Sequence, residues 1–179
     1  AREGLLFVGG FRHPPNVDAV LWFVREVFPR IRSLRPGMQF HCIGGDVPAE
    51  IRNLSRLDGV HLHGHVPDLQ PWLDGCRISV APLRYGAGVK GKVNQAMAHG
   101  LPVVATSPAV EGMHLLDGQD VLVADDAAAY ADAVLRLDGD EALWNRITAN
   151  GRDNVARHFS PEAARATVRE AFLSGPRPR

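Results

Sequence analysis

The stretch GAGVKGK, Gly86 to Lys92, holds both lysines of a 179-residue chain in which every other basic residue is arginine. A compact ammonium on a flexible stem, presented from a glycine-rich turn, suits a phosphate oxygen. Each such charge-assisted hydrogen bond is worth roughly 1.5–3 kcal/mol. Arg84 lies just before the turn, and no acidic residue occurs between Asp74 and Glu111, so Arg84, Lys90 and Lys92 have no partner close in sequence. A phosphate or diphosphate is the expected counter-charge. Along the helix that should follow, Lys92, Gln95 and His99 share a face by i, i+3, i+7 spacing, which puts Gln95 within reach of a ligand at the helix start. Val89, Val93, Ala96 and Met97 form the expected buried stripe.

Short apolar runs alternate with helical patterns along the chain: LLFVG, MQFHCIG, VHLHG, ISVAP, PVVAT and VLVA read as strands. That order predicts βαβ units, hence a mostly parallel sheet with helices on both faces. In such a sheet ligands bind beyond the carboxyl ends of the strands, so GGFRHPPN, HGHVPDL, PLRYGAGVKGK and TSPAVEGM are the loops that matter. The first helix carries Val17, Val20, Leu21, Val24, Phe28 and Ile31 at helical spacing, with Asn16 as its expected N-cap, Asp18 in its first turn and a kink at Pro29. DDAAAYADAVLRL, EALWNRITANGRDNVARHF and PEAARATVREAFL predict an all-helical end, the last helix opening at Ser160-Pro161. One Rossmann-like three-layer α/β/α domain over residues 1–179 accounts for every segment.

Twenty basic and twenty acidic residues cancel, so the chain has no overall charge with which to attract nucleic acid or an anionic membrane. Cys42 and Cys76 sit in apolar runs and read as buried thiols, not as a disulfide framework. No run approaches the roughly 20 apolar residues of a membrane span, and AREGLLFVGG has no signal layout. A cytoplasmic protein or fragment is expected. The abrupt opening on a strand suggests a piece of something longer. His61 and His63 of HLHGH share a strand face, but with no cysteine or acid nearby a strand end and glycine turn is preferred to a metal site. Trp22 and Trp72 read as packing residues, whereas Trp144 could face a partner domain. No G-x-S-x-G, H-E-x-x-H or Walker sequence is present.

The order LLFVGGFRHPPNVDAVLWF, VHLHGHVPDLQPWL, ISVAPLRYGAGVKGKVNQAMAHGLPVVAT, AVEGM and DGQDVLVADD resembles the C-terminal, donor-binding half of GT-B glycosyltransferases, in particular the retaining group 1 (GT4-like) enzymes. The resemblance implies a hexosyltransferase-like activity on a nucleotide-diphospho-sugar such as a UDP- or GDP-sugar, with no cofactor, no metal and no protein nucleophile. It implies that Gly9, Gly10 and Arg12 lie near the diphosphate together with Arg84, Lys90 and Lys92. It places His65 and Val66 beside the base, and Tyr85, Gly86, Ala87 and Gly88 beside the sugar. The acceptor would be held by an N-terminal domain that this chain lacks. Membrane contact is expected only through that domain, and the isolated chain is expected to transfer nothing.

Two departures stand out. Many family members carry the glutamate pair E-x7-E, whose second member is placed on the ribose; here that position is Gln95 and no acid precedes it in the loop. Where many relatives have a lysine at the start of the first helix, this chain has Asn16. The alternatives are a sugar-nucleotide epimerase half-domain, which catalytic carboxylates in the crevice would favour, and a non-catalytic interaction module, which Gln95 favours.

Overall fold

A computed structural model describes residues 1–160. The last expected helix and the polar tail fall outside them. Strands β1 (Leu5–Val8), β2 (Phe40–Ile43), β3 (Val60–Gly64), β4 (Ile78–Ala81), β5 (Val103–Ala105) and β6 (Leu122–Val123) correspond to the six expected runs. They form one parallel sheet in the order β3-β2-β1-β4-β5-β6. Their side chains are mostly buried, as helices on both faces require.

The helices are α1 (Pro14–Trp22), α2 (Phe28–Leu34), α3 (Ala49–Arg52), α4 (Gln70–Gly75), α5 (Gly91–Ala98), α6 (Ser107–Val110), α7 (Ala127–Gly139) and α8 (Glu141–His158). Helices α1, α2, α3 and α7 group together, and α5 and α8 pack on each other. The kink expected at Pro29 takes the form of a π-helical segment, Phe23–Val27, between α1 and α2, with Pro29 in the first turn of α2. Asn16 is not the N-cap. The helix begins at Pro14, with His13 as cap, and Asn16 is buried within the first turn.

The core gathers Phe23 against Phe40 at 4.8 Å and against Tyr130 at 6.0 Å, with Trp22 edge-on to Tyr130 at 5.7 Å. The fully buried Tyr130 hydroxyl donates to Val104 O at 2.6 Å and accepts from Ala81 N at 3.1 Å, tying α7 to β4 and β5. Burial raises its pKa and keeps the phenol protonated. Both cysteines are free and buried, their thiols pushed up by burial to about 12 for Cys42 and about 11 for Cys76. Asp126 and Asp140 accept from Ala129 N and Leu143 N and so cap α7 and α8. Trp144 is used within the domain: its indole donates to Arg77 O at 2.9 Å, and the Arg77 guanidinium lies 5.4 Å from its ring centre.

Candidate functional site

Strand β1 has β2 on one side and β4 on the other, while the chain after β1 leads to α1 and the chain after β4 leads to α5. The two connections part there, which leaves a crevice at the carboxyl ends of β1 and β4. Gly9 and Gly10 line its β1 side, and the loop from Arg84 to Lys90 its β4 side. Gly9 N–H is already committed to Ile43 O at 2.9 Å. A Cβ on Gly9 would lie 2.9 Å from Lys92 Nζ and 2.8 Å from Asn16 Nδ2, so only glycine lets these groups meet.

The two lysines have separate environments. Lys90 caps α5 and folds back on its own loop, donating to Gly88 O at 2.8 Å and Gly86 O at 3.1 Å. Those bonds hold Gly86 and Gly88 in the left-handed backbone conformation, at φ 114° and 86°. Lys92 is turned inward. It donates to Asn16 Oδ1 at 2.5 Å, and its ammonium lies 4.7 Å from the centre of the Phe7 ring. Burial, and then the charge of Lys90, lower its pKa to about 8. Among the described residues neither ammonium pairs with a carboxylate. Two partly desolvated cations without counter-ions concentrate positive charge at this end of the sheet.

Arg84 stands apart from them. Its guanidinium is bound to Asp18, through Nε to Oδ2 at 2.9 Å and through Nη2 to Oδ1, and lies over Trp22. That hydrogen bond raises its pKa further. Arg12 pairs with Asp46 at 2.9 Å on the open surface, where both side chains are exposed. The tip of the loop approaches the start of α1, since a Cβ on Gly86 would come within 3.4 Å of Pro15. Tyr85 and Val89 are both exposed, so Val89 is not part of the α5 stripe, and Val93, Ala96 and Met97 alone make it.

Gln95 and His99 do share a face, but Lys92 does not join them. They line a groove of 370 Å³ with Val66, Asp68 and Leu73, between α4 and α5. His99 Nδ1 lies 3.3 Å from Asp74 Oδ1 at its rim. His65 sits above Gly45 at the end of β2, with 3.8 Å between its Cβ and the position a Gly45 Cβ would take. The site residues read from sequence therefore separate into a cationic crevice, with Gly9, Gly10, Lys90 and Lys92, and a more open groove, with Val66 and Gln95. A hollow of 490 Å³ opens at the other end of the sheet, among Arg2, Arg35, Arg77 and Asp138, away from every one of these loops.

His61 and His63 face the same way and are joined by His41 of β2. His41 Nδ1 lies 3.1 Å from His63 Nε2, and Trp72 covers both rings. Burial and the neighbouring imidazoles lower His41 to about 4, and His63 is lowered by the same causes. Among the described residues no group of three His, Cys, Asp or Glu is arranged to hold a metal ion. Asn16 is the site residue that sequence reading misplaced. The available signal was its position four residues before Val20, on the buried stripe of α1.

Residues 2–140 match the family model of the glycosyl transferases group 1. An uncharacterized 44.6 kDa protein in the cps region of Klebsiella pneumoniae is 30% identical over 92% of this chain and 44% of its own length. Among solved structures, Anabaena HepE in complex with UDP and glucose superposes with a TM-score of 0.76 at 14% identity, over 98% of this chain and 49% of that one. The C-terminal domain of LpcC, a glycosyl transferase group 1 family protein from Francisella tularensis, does so with a TM-score of 0.68 at 16% identity, over 89% of both chains. The chain spans less than half the length of the curated relatives it matches.

Proposed function

The chain belongs to the group 1 glycosyl transferases, and from that premise we propose that it is the C-terminal, donor-binding domain of a retaining GT4-like enzyme, residues 1–179 forming that single domain. It holds a nucleotide-diphospho-sugar, with the diphosphate at Gly9, Gly10, Lys90 and Lys92 and Arg12 swinging in from Asp46. The nucleoside lies along the groove of Val66 and Gln95 with His65 above it, and the sugar lies under the loop from Tyr85 to Gly88. The observation that carries this reading is the pair of lysines without counter-ions where the two connections diverge. The ligand of Anabaena HepE, UDP with glucose, is the chemistry such a site suits.

Chemically, the domain stabilises a leaving nucleoside diphosphate. Fixed positive charge in a partly dry crevice lowers the energy of the developing phosphate charge, and no protein nucleophile is required. Arg84 contributes indirectly, by holding the loop to α1 through Asp18. The acceptor belongs to an N-terminal domain facing this crevice, without which water is not excluded and no hexose is transferred. No helix among the described residues is long and apolar enough to cross a membrane, and we place the reaction on a cytoplasmic nucleotide-sugar pool.

Thermal shift against UDP, GDP, ADP and their sugars tests the reading. Stabilisation by at least one of them, lost in the double variant Lys90→Ala, Lys92→Ala, is expected. Absence of binding at millimolar concentration overturns it and favours a non-catalytic module, the reading that Gln95 supports. Glycosyl transfer by the isolated chain above background would refute the need for a partner domain.

A further inference from the structure

The buried amide of Asn16 makes two hydrogen bonds that join separate parts of the crevice. Nδ2 donates to Gly10 O at 2.7 Å, and Oδ1 accepts from Lys92 Nζ at 2.5 Å. Asn16 is only 5% exposed, so each bond forms in a medium where a missing partner is costly. An ammonium has three N–H donors, and this amide is the one acceptor that Lys92 has among the described residues. The groups around it are Phe7 of β1, Gly9, the Cys42 thiol of β2 and the Lys90 ammonium, none of which carries negative charge.

We propose that Asn16 is a positioning residue, an amide brace that fixes the Lys92 ammonium against the Gly9–Gly10 turn and leaves its remaining donors to a bound phosphate. The neutral amide is suited to this in a way that neither aspartate nor an aliphatic residue is. Aspartate would neutralise Lys92 before any ligand arrived and would set a carboxylate against Gly10 O. An aliphatic side chain would leave the ammonium without a partner and Gly10 O with only the long bond from His13 N at 3.4 Å. This role rests on reading the crevice as an anion site, but its first test does not use an anion.

Because the chain has only two lysines, protein labelled selectively with 13C-lysine yields two sets of side-chain signals. The Lys92 Cε signal followed against pH gives its titration, with a midpoint of about 8 in the unaltered chain. In Asn16→Asp that midpoint rises by roughly one unit or more, and the affinity for inorganic pyrophosphate falls by about tenfold. In Asn16→Ala the Lys92 signal and the Gly9 and Gly10 amides move while Lys90 stays in place, and pyrophosphate binding weakens. Should Asn16→Asp fail to fold, Asn16→Ser and Asn16→Ala are compared with the unaltered chain by the same signals. A Lys92 titration unchanged in every folded variant overturns the proposal whether or not pyrophosphate binds. A titration that shifts as described, with no form of the protein binding pyrophosphate, keeps the brace and removes the anion reading.

Discussion

Arg84 and Asp18, 66 residues apart, form a two-point ion pair that ties the loop after β4 to the first turns of α1. The pair is partly exposed, so its own worth is about 1 kcal/mol or less. Arg84→Ala is therefore expected to lower the unfolding free energy by about 0.5–1 kcal/mol, including the lost contact with Trp22. Its effect on UDP affinity should be smaller than that of Lys92→Ala, because the guanidinium is already committed. Urea unfolding and titration calorimetry on both variants check this, and an Arg84→Ala loss as large as that of Lys92→Ala would return Arg84 to the phosphate site.

Lys92 sets stability against function. Its pKa falls from 10.5 in the unfolded chain to about 8 in the folded one. The unfolded state therefore binds more protons between those values, and stability rises with pH across that window. Below pH 8 the full cost of burying the charge is present. Lys92→Met is expected to stabilise the fold by about 0–2 kcal/mol at pH 7, because relief of the buried charge is offset in part by Asn16 Oδ1 losing its partner. The gain should shrink as pH climbs from 8 toward 10.5, and nucleotide binding should be lost at every pH. Denaturant midpoints measured from pH 7 to 10.5 follow the effect.

Much of this fold was legible because its signals are local. Short apolar or β-branched runs of four to seven residues marked the strands, and helical patterns marked α1, α5, α7 and α8. Helices α3 and α6 have four residues each, too few to show a period. Val89 fell outside its stripe because α5 starts two residues later, at Gly91. The glycine turn and lysines of the crevice were readable for a similar reason, since they lie within one loop. What sequence could not show was long-range: Asp18 taking Arg84, Lys92 turning inward, and Asn16 linking Gly10 to a lysine 76 positions away. Such pairings depend on how the strands are ordered, and no spacing rule encodes that.

Burial beneath Trp72 lowers the pKa of His41 and His63, so acid works against the fold at that cluster. His41 titrates at about 4 in the fold against 6.5 unfolded. Its contribution is intact above pH 6.5 and is lost as pH falls toward 4. His41 is partly exposed, so the loss is screened to about 1–2 kcal/mol. Thermal midpoints should drop between pH 6.5 and 4, Trp72 fluorescence should change in step, and His41→Gln should flatten both. An equal acid sensitivity in His41→Gln would assign the transition to other groups.

Glycines at the ends of β1 and β2 separate packing from ligand approach. A Cβ on Gly44 would lie 2.0 Å from Gly9 O, backbone against backbone. Gly44→Ala is thus expected to cost about 3 kcal/mol or more and to reduce soluble yield. Gly10 has open space around the same position, so Gly10→Ala should unfold within about 0.5 kcal/mol of the unaltered chain. The added methyl nevertheless occupies the approach of a diphosphate, and UDP affinity should fall several-fold. Calorimetry on Gly10→Ala decides whether that backbone faces a ligand.

Gln95 tests the nucleoside groove. The side chain is exposed along the same groove as Val66 and Asp68, where an amide can both donate to and accept from sugar hydroxyls. A carboxylate only accepts, but each bond to it is charge-assisted and roughly twice as strong. Gln95→Glu should leave folding unchanged and tighten UDP binding by about tenfold, a gain of about 1.4 kcal/mol. The gain should vanish with a 2′,3′-dideoxynucleotide, which lacks the hydroxyls the carboxylate would hold. Calorimetric titration of both proteins with both ligands makes the comparison. Equal gains for the two nucleotides would place the new charge beside the base or sugar, and no gain would remove Gln95 from the nucleoside site.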